Sequence, residues 1–368
     1  MKRFVCFMLL TAMFTIHFTS TYSAAIGTDV FVNGVEMPTD TQPIIRGGVT
    51  YVPFRAIAEM LGCSVNYDGV TRTVKMDGGG IVLEMTVDSK SATVNGKAVE
   101  MNAPPIILNN RTMVPVRFVS ETFKSTVKWL QGYDEPYGYS NNVVKIYSEL
   151  PVIVKPLGVG VSSKCFTFHT DLGEENSVSY DLTLPQFSGL KNTGFQAKLN
   201  SDMMEQYRLS DNSARQNLRE QESEAPEYGY HTYSDDQEYR ILGIHKNILT
   251  VMLEGYLYFG GAHGMPYREV LNIDTANNKI LQLADIFTNP NYKQVLLREL
   301  NALRPVESTF EDEISEVLDL PSDNSFYFQG GSLVIFYPPY DLASYARGFV
   351  EFKIPLTKLS GILKAEIR

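Results

Sequence analysis

The chain has 368 residues, 44% of them hydrophobic and 20% charged, with 21 Tyr and 20 Phe. That is enough apolar material for a real core, which excludes wholesale disorder, and enough length for two domains of about 100–200 residues. The formal charge of −10 argues against nucleic acid and other polyanions as partners and favours cationic ones.

The first residues read as an export signal. Lys2 and Arg3 precede a mostly apolar run from Phe4 to Phe18, and Ser23-Ala24-Ala25 offers small residues for cleavage after Ala25. A signal peptide over residues 1–25 is therefore expected. Its removal takes away two positive charges and no negative ones, moving the formal charge from −10 to −12. No later stretch has the roughly 20 apolar residues of a membrane span, so no transmembrane helix is expected after the signal. The expected location is secreted or wall-associated. Cys63 and Cys165 are expected as two buried free thiols, with a bridge between them as the alternative.

An internal repeat follows. Val32-Asn33-Gly34 returns as Val94-Asn95-Gly96, and Pro43-Ile44-Ile45 as Pro105-Ile106-Ile107. Thr50-Tyr51-Val52-Pro53-Phe54-Arg55 returns as Thr112-Met113-Val114-Pro115-Val116-Arg117. Every pair is 62 positions apart, as Asn33 and Asn95 are. Asn-Gly predicts a hairpin turn, because both residues tolerate positive φ. A second strand runs through Ile44–Ile45. Pro53 and Pro115 fit the first helical position, Gly62 fits the helix C-terminal cap, and Arg55/Glu59 and Arg117/Glu121 are spaced to pair. Strands follow at Ser64–Asp68 and Thr73–Met76, with Val143–Tyr147 closing the second copy after an inserted Gly/Tyr/Asn-rich loop at Gly132–Asn142. Arg55 and Arg117 suit either ligand binding or a tie between helix and strands. Their shared local frame favours the tie.

These motifs resemble the N-terminal stalk domain of copper amine oxidases over Ile26 to Ser148. The resemblance implies an α+β structural or wall-associated module. It implies no copper chemistry, which belongs to a separate catalytic domain of the oxidases.

Glu149–Ser162, rich in Pro and Gly, is expected as a linker or an entering edge strand, and a second domain as residues 163–368. Alternation predicts a strand at Val178–Leu184. Leu190–Leu218 has helical spacing. Arg219–Gln237 reads as a polar loop or frayed end. Tyr239–His245 and Ile248–Tyr258 read as a hairpin turned at Lys246-Asn247. A strand at Tyr267–Asp274 precedes helices at Leu283–Phe287, Tyr292–Leu303 and Phe310–Leu318. Ser325–Gln329, Leu333–Tyr337 and Gly348–Ile354 read as strands. The fold class is α+β throughout: two domains, the first internally repeated, the second with helices on an antiparallel sheet.

Four segments here carry a second resemblance: Leu184-Pro185-Gln186-Phe187, Gly260-Gly261-Ala262-His263-Gly264, Leu281-Gln282-Leu283-Ala284-Asp285-Ile286-Phe287 and Phe336-Tyr337-Pro338-Pro339-Tyr340-Asp341. From Ser163 to Lys364 the chain resembles the extracellular domain shared by anti-sigma-V factors and some peptidoglycan deacetylases. In the former the domain senses lysozyme by binding it. In the latter it sits beside a separate catalytic domain. The resemblance implies recognition. Neither an anti-sigma segment nor a deacetylase domain is expected in this sequence.

No catalytic signature emerges. The histidines of the mature chain, His169, His231, His245 and His263, lack metal-site spacing, and there is no Gly-x-Ser-x-Gly or phosphate-cradling loop. No catalytic residue, metal or cofactor is expected. The candidate ligand-binding residues are Gly260, Gly261, His263, Tyr337, Tyr340 and Asp341. The leading reading is a secreted envelope protein that binds a cationic, lysozyme-like protein or a peptidoglycan component. The alternatives are a wall-acting hydrolase or deacetylase-like enzyme using His263, and a structural surface spacer.

Overall fold

A computed structural model describes residues 27–131, 141–173, 176–223, 232–304 and 314–368. Residues 1–25, expected as an export signal, lie outside the described residues, as do His231 and most of the inserted loop.

The front part is the predicted repeat made physical. Copy one contributes β1 (Thr28–Val32), β2 (Val35–Glu36), β3 (Ile44–Arg46), β4 (Val49–Pro53), α1 (Phe54–Met60), β5 (Ser64–Asp68) and β6 (Thr73–Gly78). After β7 (Ile81–Thr86), copy two gives β8 (Ser91–Val94), β9 (Lys97–Glu100), β10 (Ile106–Leu108), β11 (Arg111–Pro115), α2 (Val116–Thr122), β12 (Thr126–Leu130) and β13 (Asn142–Tyr147). The copies meet in a four-stranded sheet of order β10-β11-β4-β3. At its centre Val114 pairs with Val52, flanked by Met113 with Pro53 and Pro115 with Tyr51. Val52 and Val114 are each other's repeat equivalents and the two flanking pairs map onto one another, so a local two-fold axis runs between the strands. Such an axis between antiparallel neighbours is perpendicular to their sheet. Val52, Val114, Ile57, Leu61 and Val119 pack into the core beneath both helices.

Two details differ from expectation. Each proline sits one residue earlier, as the N-cap of its helix, because its ψ is extended (124° at Pro53, 112° at Pro115) while its φ already suits helix entry. Only Arg117 and Glu121 pair, at 3.8 Å. Gly62 takes the expected left-handed position past α1, at φ 69°, and Lys124 takes the equivalent one at φ 59°.

The back part is built on a seven-stranded sheet of order β14-β15-β16-β17-β18-β19-β20. Its strands are β14 (Val152–Val154), β15 (Val159–Gly173), β16 (Asn176–Ser188), β17 (Tyr233–His245), β18 (Ile248–Tyr258), β19 (Met265–Asp274) and β20 (Lys279–Ile280). Pro/Gly-rich Glu149–Ser162 therefore forms the outermost strand and the start of its neighbour. Among the described residues of this sheet, only β16 and β17 pair in parallel. A parallel neighbour requires a crossover, and α3 (Thr193–Ser223) supplies it, laying Leu199, Met203 and Tyr207 on the sheet. A three-stranded sheet of β21 (Phe326–Gln329), β22 (Ser332–Tyr337) and β23 (Val350–Pro355) follows. It packs with a 3-10 turn at Leu283–Ile286, α4 (Tyr292–Leu303) and α5 (Leu356–Leu359) around a second core containing Leu296, Ile335 and Phe352.

Three expectations are corrected. Within Arg219–Gln237, α3 runs on to Ser223 and β17 begins at Tyr233. This stretch looks solvent-loving because Asp235 and Gln237 are polar, yet both are buried and satisfied, Asp235 by Ser210 Oγ (2.6 Å) and Tyr267 Oη (2.9 Å). The described end of Phe310–Leu318, from Ile314 onward, is not helical. Its backbone is captured instead by the Asn301 amide, which donates to Val317 O (2.9 Å) and accepts from Val317 N (3.0 Å). Both cysteines are free, but only Cys63 is buried, and its thiol is pushed up to about 11 by that burial. Cys165, on β15, is exposed.

The two parts are welded at one turn. Asn33 is fully buried and uses all four of its amide's hydrogen-bonding positions. Its Nδ2 donates to Leu150 O (2.8 Å) and Val161 O (3.1 Å), while its Oδ1 accepts from Ser148 N (2.7 Å) and Ser163 Oγ (2.8 Å). The next residue, Gly34, accepts from Ile241 N at 2.8 Å. A Cβ at Gly34 would lie 2.9 Å from the Tyr239 ring and 3.2 Å from Arg240 Cα, so this φ of 71° and this approach admit only glycine. Beside the turn, Lys145 is buried against Glu238, which also accepts from Tyr147 Oη at 2.8 Å.

Candidate functional site

The candidate site forms where β18 turns into β19. Gly260 and Gly261 adopt φ of 89° and 91°, which allows the chain to reverse tightly after Tyr258 and Phe259. Tyr258 Oη closes the turn on Gly261 O at 2.8 Å. Gly264 N donates to Tyr256 Oη at 2.7 Å, and a Cβ there would strike Leu257 O at 2.5 Å.

His263 projects from this turn and is clamped. Its Nδ1 lies 2.9 Å from Gly264 O, an acceptor only, so in the neutral ring Nδ1 carries the proton. Nε2 then accepts from Tyr340 Oη at 3.3 Å. The imidazole stacks on Tyr345 with centroids 3.9 Å apart. Tyr345 Oη donates to Gly264 O (2.9 Å) and lies 3.4 Å from Tyr256 Oη. Its hydrogen bond to Tyr256, with burial, pushes the Tyr345 phenol up to about 12, so it stays a donor at neutral pH. Among the described residues no carboxylate is bonded to His263. The ring is oriented by a carbonyl and two phenols, an arrangement suited to a rigid contact surface.

Phe259, Met265 and Tyr340 stand exposed around His263. Tyr340 holds a left-handed φ of 74°, a conformation costing about 1–2 kcal/mol outside glycine. Backbone strain of this kind clusters where a side chain is presented for use. Beside this ledge opens a cleft of about 750 Å³ lined by Asp236, Glu254, Tyr256, Arg268, Tyr345 and Glu351, among others. On its floor Glu254 bridges Arg240 (2.7 Å) and Arg268 (2.8 Å), and Arg268 also reaches Glu351 (2.6 Å). Asp236 is the cleft's unusual acid. Burial, reinforced by the nearby Asp181, pushes its carboxyl above the usual range despite the opposing Lys128.

Of the residues singled out in the sequence, Gly260, Gly261, His263 and Tyr340 come together here. Asp341 is exposed next to Tyr340, its N–H on Pro338 O at 3.3 Å. Tyr337 is elsewhere: it is buried in the core of the three-stranded sheet, with its hydroxyl on Asp319 O at 2.9 Å. The strand alternation that aims Tyr337 inward left Tyr340, beyond the strand end, free to reach out. The sequence reading missed Tyr345, Phe259, Met265 and the Arg240–Glu254–Arg268 set. The signal for the last was present, since Glu254 and Arg268 are direct cross-strand neighbours.

The molecule is thus an α+β protein with a duplicated front part and a clamped aromatic ledge on its back part. Its segments match three known families. The copper amine oxidase N-terminal domain matches residues 31–136. Deacetylase PdaC matches residues 173–266. The protein family of unknown function DUF3298 matches residues 284–357. The anti-sigma-V factor RsiV of Bacillus subtilis (strain 168) is 24% identical over 231 residues, spanning 60% of this chain and 75% of that protein. A crystal structure of a DUF3298 family member from Bacteroides fragilis shares 21% identity, covering 56% of this chain and 94% of that one, with a TM-score of 0.46. Another, from Pseudomonas aeruginosa PAO1, shares 18% identity over 56% and 95% of the chains, with a TM-score of 0.42. No helix among the described residues is long and apolar enough to cross a membrane.

Proposed function

We propose that this chain is an extracellular, envelope-related binding protein whose ledge around His263 docks a cationic protein, lysozyme being the first candidate. The observation that carries this reading is the ledge itself: Phe259, Met265 and Tyr340 exposed on a clamped frame beside a charged cleft in which Asp236 is the acid outside the arginine pairs. Exposed aromatics and Met on a rigid support are the residues that anchor protein interfaces. The formal charge of −10 steers a basic partner. The similarity to an anti-sigma-V factor supports the extracellular setting.

Lysozyme titrated calorimetrically against the intact protein tests the reading. Tyr340→Ala and Phe259→Ala are each expected to weaken binding by about 2 kcal/mol, roughly 30-fold. Binding should also weaken as salt rises. Undiminished affinity in both variants would remove the ledge from the interface.

Acidification gives a separate check. Because burial raises the Asp236 carboxyl, its negative charge is lost at a higher pH than that of an ordinary aspartate. Affinity for a cationic partner should therefore begin to fall above the normal aspartate range. Asp236→Asn should abolish that early step and leave the later ones.

A further inference from the structure

The front part carries a duplicated surface that the ledge does not use. One groove, of about 760 Å³, is lined by Arg55 and Tyr67 of copy one and by Ile107 and Thr112 of copy two. A second, of about 370 Å³, is lined by Arg117 and Trp129 of copy two and by Ile45 and Thr50 of copy one. Each of these residues stands 62 positions from its counterpart in the other groove. The grooves are therefore two-fold equivalents, and each is built across the repeat boundary: the β3–β4 or β10–β11 hairpin of one copy faces the helix and following strand of the other.

The equivalent side chains are also exposed to the same degree, Ile45 and Ile107 at 45% and 44%, Tyr67 and Trp129 at 44% and 40%. Core packing explains why Val52 and Val114 repeat. It does not explain why two isoleucines, two aromatics and two arginines repeat on the surface, and the expected tie of the arginines to the strands is not made among the described residues, where Arg117 pairs only within α2 with Glu121. Because the axis is perpendicular to the central sheet, both grooves lie on the same side of it, the side bearing α1 and α2.

We infer that these grooves are twin subsites for a neutral polysaccharide strand, with Tyr67 and Trp129 as stacking platforms and Arg55 and Arg117 donating to its acyl or hydroxyl oxygens. A flat ring with an apolar neighbour takes the apolar face of a sugar, and the guanidinium and threonine hydroxyl supply polar contacts at its edge. Two subsites built from equivalent residues on one side of a sheet, the first about twice the volume of the second, suit a ligand that is itself a repeat, which can fill both and gain avidity. The formal charge of −10 disfavours a polyanionic strand. This inference shares with the proposed function only the extracellular setting.

Trp129 is the single tryptophan of the chain, so its emission reports the second groove alone. Titration of the full chain with a hexamer of β-1,4-linked N-acetylglucosamine should shift that emission. Arg117→Ala should weaken the response at least about tenfold, while Arg55→Ala, which removes only the avidity supplied by the other groove, should weaken it by much less. In the double variant Tyr67→Trp/Trp129→Tyr the reporter moves to the first groove and the two arginine effects should exchange. Retention on insoluble chitin should fall on the order of a hundredfold in Arg55→Ala/Arg117→Ala, beyond either single variant. An unmoved emission up to about 10 mM hexamer overturns the inference. So does a response to polygalacturonate in place of the hexamer, or equal effects of both arginines on one reporter. Lysozyme affinity should be the same in all these variants, so failure of one reading stays distinct from failure of the other.

Discussion

Asn33→Ala should lower stability by about 4 kcal/mol, while Asn95→Ala in the same Val-Asn-Gly motif should cost about 1 kcal/mol or less. The two asparagines share their backbone conformation, with φ of 48° and 49°, so the strain of placing alanine there is common to both. What differs is the amide. Asn95 is exposed and accepts one bond, from Val82 N at 2.7 Å, which water can replace. Asn33 satisfies four groups in a buried junction, and each loses its partner when the amide goes. A buried polar group left unmatched costs about 1–3 kcal/mol, partly recovered here by relaxation or an entering water. Thermal unfolding of the two variants side by side measures the difference, expected as about 10 °C in midpoint. Equal midpoints would mean that the junction contributes nothing beyond an ordinary turn.

Glu254→Gln is the second large effect, expected at about 3–5 kcal/mol. The substitution keeps shape and removes charge. Arg240 and Arg268 then face each other across a neutral amide, with Arg268 left to Glu351 and to the ring of Phe349, 4.3 Å away. Burial pushes the Glu254 carboxyl up, but the two guanidiniums outweigh it and hold the group below the ordinary glutamate range. A depressed acid contributes stability that is present above its unfolded-state pKa and is lost as pH falls through its lower folded-state value. Denaturant midpoints should therefore drop on acidification in the native protein across that window. In Glu254→Gln this component of the drop should be missing. A variant with unchanged midpoint at neutral pH would show that the pair of arginines tolerates the loss, through solvent or Glu351.

How much of this was legible beforehand depends on the range of the signal. The 62-residue register of the repeat fixed which residues would be equivalent, and the Val52–Val114 pairing follows from it. The hairpin turning at Lys246-Asn247 was equally local, with Lys246 taking φ 53°. Long-range effects were not visible. Tyr345 joins His263 from 82 positions away, out of a segment of small and polar residues with no pattern of its own. Asp235 and Gln237 read as solvent-facing because hydropathy does not show whether a polar group is matched inside. Tyr337 and Tyr340 sit in one Pro-punctuated run, and only the end of β22 decides that one ring goes inward and the other outward. The repeat even concealed the junction, since Asn33 and Asn95 are indistinguishable in their immediate neighbours.

That concealed difference between the two Asn-Gly turns gives the duplication a direction. The copies resemble each other where they face one another across the two-fold axis, yet they do not commute. Exchanging their order along the chain would set the solvated loop where the lock belongs and leave the lock facing water. A homodimer of single repeats could reproduce the central sheet. It could not choose which of its two equal turns engages the rest of the protein, and fusing the copies into one polypeptide makes that choice.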